Sequence, residues 1–201
     1  MERKGISPVF SSIMIVAILA IVIGYALKWG LPIMQKNIAL SKLKEGELLF
    51  TKIHDKIEGV VKVGGSEEIV LQVDGRMIVD PKNDSITLRL KSDGTIYATG
   101  FTCFARNCEE EGILGEDDFA IYGVETNLLA RGFFHTYILK MRNLTSKEGK
   151  KYRVDLLSVI GNEISDERKL YGNKGDKIVI MNLGVEEVGN VTKEKVGIRI
   201  L

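Results

Sequence analysis

Cysteines, histidines and clustered carboxylates are the side chains of this chain that could carry chemistry, and they are sparse. Cys103 and Cys108 stand in Cys-Phe-Ala-Arg-Asn-Cys, close enough to close a small disulfide loop. Two reduced packing cysteines are the equal alternative. No further Cys or His adjoins them, so a four-ligand zinc site does not form. His54 lies between Ile53 and Ile57 in a charged helical stretch and reads as an exposed or half-buried helix residue. His135 alternates beside Phe133, Phe134 and Tyr137 and reads as a core or face-edge residue of a strand. Two acidic clusters, Glu109 to Glu111 and Glu116 to Asp118, bracket Gly112-Ile-Leu-Gly115. They lack the alternating ligands and distant Glu of a calcium loop, so they read as a solvated acidic loop. The turn from Asp80 to Asp84 misses that spacing too. No Gly-x-Ser-x-Gly elbow, His-Glu-x-x-His pair or phosphate-cradling glycine loop is present. The expectation is a protein that is not an enzyme, with no catalytic residue, cofactor or metal site. What remains is covalent decoration: Asn83, Asn143 and Asn190 each begin an Asn-x-Ser/Thr acceptor.

The elements that position these residues fall into two contrasting parts. The chain has 201 residues, 45% of them hydrophobic and 27% charged, with 28 Lys and Arg against 27 Asp and Glu. That composition fits one folded domain plus an extra segment and excludes intrinsic disorder. A net charge of +1 lacks the broad basic surface of a general nucleic-acid binder, so no nucleic-acid partner is expected. The charge is uneven. Residues 1 to 44 carry Arg3, Lys4, Lys28, Lys36, Lys42 and Lys44 against Glu2, a balance of +5 that leaves −4 for the rest.

From Gly5 through Leu27 there is no charged side chain, and the run is apolar on every helical face. At about 1.5 Å per residue, Ile6 to Leu27 reaches roughly 33 Å, enough to cross a bilayer's hydrocarbon core. Tyr25, Lys28 and Trp29 cluster where the run ends, as interfacial anchors do. The spacing therefore predicts a membrane-spanning helix over 6–28. Positive charges flank both ends, so the positive-inside rule tolerates either orientation. The cysteine pair and the three acceptors favour a body outside the cell. A secretory signal peptide fits poorly, because its apolar core would be shorter and end at an Ala-x-Ala-like site.

The junction Arg3-Lys4-Gly5-Ile6-Ser7-Pro8, followed at once by the apolar run, resembles the N-terminus of archaeal type IV pilins and pilin-like proteins. The resemblance covers about 25 residues. The fifth position after the Gly is Phe10, where bacterial pilins commonly carry Glu, so the match is to the archaeal pattern. It implies a leader over 1–5, removed after Gly5 by a prepilin-type peptidase. The mature helix would first sit in membrane lipid and later pack with like or related subunits in a surface filament serving adhesion. The alternative is a single-pass, membrane-anchored protein whose extracellular β domain binds a partner and never polymerises.

Beyond Trp29-Gly30-Leu31-Pro32 the pattern becomes amphipathic. Ile33, Leu40, Leu43, Leu48, Leu49, Phe50, Ile53 and Ile57 predict an apolar stripe on a helix over 29–58, kinked or opened near Gly30 and Pro32 and weakened at Gly46. From Gly59 the period moves towards two. Asp74-Gly75, Asp80 to Asp84 and Ser92-Asp-Gly94 predict three successive hairpin joins, an antiparallel meander ending in a strand over 95–99. Further strands are expected over 119–124, 133–142, 152–160, 177–183 and 196–201. The expected fold is thus α+β: a long N-terminal helix, transmembrane below and amphipathic above, then an antiparallel β domain over 59–201, sandwich-like or a twisted sheet.

Overall fold

The computed structural model describes residues 8–92, 99–129 and 132–201. A single helix, α1 (Pro8–Val63), precedes a two-sheet β domain, giving the α+β architecture. The chain divides into two compact units, Met1–Leu40 and Ser41–Leu201. Helix assignment continues through Gly30 and Pro32 without interruption.

The helix ends at Val63, five residues beyond the expected boundary at 58. The valines at 60, 61 and 63 look strand-like, but Val60 follows Ile57 by three and extends the helix's own buried stripe. Termination falls to Gly64 and Gly65, both with positive φ (78° and 85°), and the Gly64 amide donates to the Val60 carbonyl. Only glycine enters that left-handed conformation without steric cost.

Within the second unit the stripe Leu43, Phe50, Ile53, Ile57 and Val60 is buried, whereas Leu48, expected in it, is exposed. Gly46 is a packing requirement here: a Cβ there would lie 2.6 Å from Leu90 Cδ1 and 3.0 Å from Tyr137 Cε2. That close approach lets the buried Tyr137 hydroxyl donate to the Leu43 carbonyl at 2.7 Å, while its ring packs on Phe50.

Among the described residues, thirteen strands build the sheets. The first sheet holds β1 (Ser66–Val70), β12 (Lys177–Val188), β13 (Val191–Ile200), β9 (Lys151–Ile160), β8 (Asn143–Thr145) and β5 (Glu111–Ile113) in that order, with β10 (Glu163–Ser165) added on β9. The second runs β11 (Leu170–Gly172), β2 (Gly75–Asp80), β3 (Ser85–Ser92), β7 (Gly132–Met141), β6 (Ala120–Leu129), β4 (Gly100–Cys103). Pairing is mostly antiparallel; β13 with β9 and β5 with β8 are parallel. Ile86, Leu88 and Leu90 point inward from β3 while Arg89 and Lys91 face water. Inner faces of both sheets share one apolar core with α1, from Phe50 and Ile57 to Leu88, Leu139, Leu156 and Ile198.

The meander is realised only in part. Asp74-Gly75 makes no hairpin, because β1 and β2 belong to different sheets. The intervening Leu71 instead exchanges backbone hydrogen bonds with Gly175 and Asp176, before β12. A Cβ on Gly75 would lie 2.8 Å from the Arg89 carbonyl oxygen, so this glycine allows close strand approach. The second join does form: Pro81–Asn83 is a 3₁₀ turn linking β2 to β3, with Asp84 in the left-handed region at φ 44°. The third, with its strand over 95–99, falls on residues 93–98, outside the described residues.

Candidate functional site

The feature most at odds with water lies in the first unit. From Phe10 to Ile38, large apolar side chains of α1 are exposed all round, from 50% at Leu31 to 71% at Trp29. The helix is long and apolar enough to cross a membrane, and no residue of its most apolar window is buried. Of the expected processing residues, Arg3, Lys4, Gly5, Ile6 and Ser7 lie outside the described residues, and Pro8 is the first residue of α1.

In the β domain, Cys103 and Cys108 are joined in a disulfide, their Cα atoms 6.5 Å apart. The loop they close leads into the acidic stretch, and buried Arg142 organises both. Its Nε donates to the Asp118 carbonyl (2.6 Å), and Nη1 donates to the carbonyls of Asn107 (3.0 Å) and Glu109 (3.2 Å). Asp117 accepts from the Ile113 amide at 2.8 Å; that bond, with lesser help from Asn107 and Arg142, holds its carboxyl below the usual range. The other acids are solvated: Glu110 and Glu111 make only exposed ion pairs, with Lys140 and Lys151. Sequence reasoning missed Arg142, which looks like an ordinary strand-end cation; only its burial reveals the role.

The turn read as a plain Asp80 to Asp84 link also does more. Asp84 reaches from the second sheet to the first, where Oδ1 accepts from the Leu156 amide at 3.0 Å and Oδ2 pairs with Arg153. Burial pushes the Asp84 carboxyl up, against the pull of that amide and of Arg153.

His54 is buried, not exposed or half-buried. Its ring stacks on Phe119 (centroids 5.0 Å apart) and packs against Tyr122 at 4.8 Å. A helix position between two isoleucines already faced the core, and Phe119, with Tyr122 of β6, supplies a slot that the charged neighbourhood concealed. His135 is fully buried, with Nδ1 3.0 Å from the hydroxyl of Thr126, its cross-strand partner.

The three acceptor asparagines differ in setting. Asn83 is exposed in the 3₁₀ turn and donates to Asp80 at 2.9 Å. Asn190 is exposed at the two-residue tip between β12 and β13 and donates to the Gly149 carbonyl at 2.8 Å. Asn143 is half-buried in β8, between β5 and β9.

A cleft of about 480 Å³ opens between the last turns of α1 and the acidic loop, lined by Glu58, Val61, Leu114, Tyr152 and Glu194 among others. Burial raises the Glu194 carboxyl pKa, and its Oε2 has no hydrogen-bond partner. Among the described residues, the lining offers carboxylates, guanidinium groups, the Lys62 ammonium and one phenol, but no Ser, Cys or His. Comparisons with protein-family models, with curated proteins and with solved structures found no match.

Proposed function

We propose that this chain is a type IV pilin-like subunit of an archaeal cell-surface filament, major, minor or priming, trimmed after Gly5 by a prepilin-type peptidase and assembled through its apolar helix. The observation that carries the reading is the all-round exposure of α1 from Phe10 to Ile38. A helix anchored only in lipid could present one polar stripe to a partner. A helix apolar on every face suits lipid before assembly and neighbouring apolar helices afterwards. The Arg3-Lys4-Gly5-Ile6-Ser7-Pro8 junction supports the same route. The extracellular β domain, with its disulfide and charged outer face, then forms the filament's outer surface and its adhesive contacts.

Shearing of intact cells followed by sedimentation and electron microscopy tests this. The chain should enter the sheared filament fraction, and Ile18→Lys, which sets a charge within the apolar helix, should abolish that recovery. Retention of all the protein in the membrane fraction would favour the non-polymerising, single-pass protein with an extracellular binding domain.

A further inference from the structure

We propose that His54, Asp55 and Glu58 form a binding site for a divalent transition-metal ion near the C-terminal end of α1. A ring nitrogen of His54 and carboxylate oxygens of Asp55 and Glu58 lie within 4.8 Å of one another. His54 and Glu58 are four apart, which places them on one helix face. One nitrogen with two carboxylate oxygens suits a borderline ion such as Zn²⁺, Co²⁺ or Ni²⁺ better than Ca²⁺ or Mg²⁺, which favour all-oxygen shells.

Burial of the histidine sets this cluster apart from surface carboxylates. The His54 side chain is 6% exposed, yet its hydrogen bonding is under-used: Nδ1 has only Asp55 Oδ1 at a long 3.3 Å, and Nε2 has no partner. Buried imidazoles ordinarily satisfy both nitrogens. Phe119 and Tyr122 clamp the ring, so its orientation is fixed in advance, as a ligand's should be. Asp55 and Glu58 remain accessible at the rim, giving an ion a route in.

Lys62 forms an ion pair with Glu58, and an ion at this site would displace it from that carboxylate. Binding would tie the last turns of α1 to a single arrangement beside β6, a structural rather than catalytic use.

The test is titration of the full chain in detergent with ZnCl₂ by calorimetry, repeated with CoCl₂ by absorption spectroscopy. One ion per chain is expected, with a Co²⁺ spectrum that shows nitrogen ligation. Glu58→Gln and Asp55→Asn should each weaken binding at least about tenfold while leaving the melting temperature of the ion-free protein nearly unchanged. Lys62→Ala should tighten it by removing the competing ammonium. His54→Ala should abolish it, and if that variant fails to fold, the two carboxylate variants decide alone. Absence of binding at millimolar Zn²⁺, or equal affinity in the parent, Glu58→Gln and Asp55→Asn proteins, would overturn the site.

Discussion

Asp84 ties the two sheets together through one carboxylate, so its loss should be felt by the whole β domain. Asp84→Ala removes the bond to the Leu156 amide and the pair with Arg153, and leaves a non-glycine residue at φ 44° without a compensating contact. Chemical denaturation should show a loss of about 2–3 kcal/mol. Asp84→Asn, which tolerates the left-handed region and keeps an acceptor, should lose about half as much. Asp117 makes a pH prediction. Its carboxyl is depressed in the folded state, chiefly by the Ile113 amide, so the stability it contributes is present above the ordinary carboxylate pKa of about 3.9 and lost as pH falls through its lower folded value. A carbon-detected titration should place the Asp117 midpoint below 3.9, with the Ile113 amide shift moving in step; a midpoint at or above 3.9 would contradict the geometry. The Asp84 role was not readable in sequence, because its partners Leu156 and Arg153 lie far along the chain; the Asp117 bond to Ile113 is local, but distant Arg142 holds the loop that forms it. His54 fails for a related reason, since nothing local announces Phe119 and Tyr122.

Two glycines of α1 make opposite predictions at the scale of the element. Gly59 has open space around a built Cβ and sits inside the helix, so Gly59→Ala should stabilise by up to about 1 kcal/mol. Were the chain extended from residue 59, that gain would be absent. Gly46→Val drives a branched side chain against Leu90 and Tyr137 and should cost about 1–3 kcal/mol, read by thermal unfolding. The longer strands were legible because their periods are clean: β7 and β9 lie within a residue of their expected ends, while β6 runs on to Leu129, past the expected 124. The two-residue strand joins at Gly161-Asn162 and Gly189-Asn190 carry ordinary turn residues, and the second extends β13 back to Val191, earlier than the expected 196. What stayed hidden were β4, β5, β8, β10 and β11, three or four residues each and too short to show alternation. Hidden too was the passage of the chain from one sheet to the other at Asp74-Gly75. A turn dipeptide reports local backbone freedom and not which strand lies opposite.

For the whole molecule, the contrast between an uncovered apolar helix and a charged, disulfide-closed β domain is what the proposed life history explains. The helix was the most legible element because a long, uniformly apolar run is written in composition alone. Ile18→Lys should shift the protein from the carbonate-resistant membrane fraction towards the soluble or degraded pool, since a charge at the bilayer centre costs about 2.5–3.5 kcal/mol on insertion scales. The central claim is processing and assembly through that helix, and the most direct measurement is the intact mass and N-terminal residue of the protein recovered from its native membranes, beside a Gly5→Val variant. A mature chain beginning at Ile6, with cleavage lost in the variant, is the expected result. A chain that still begins at Met1, or cleavage that persists unchanged in Gly5→Val, would contradict it.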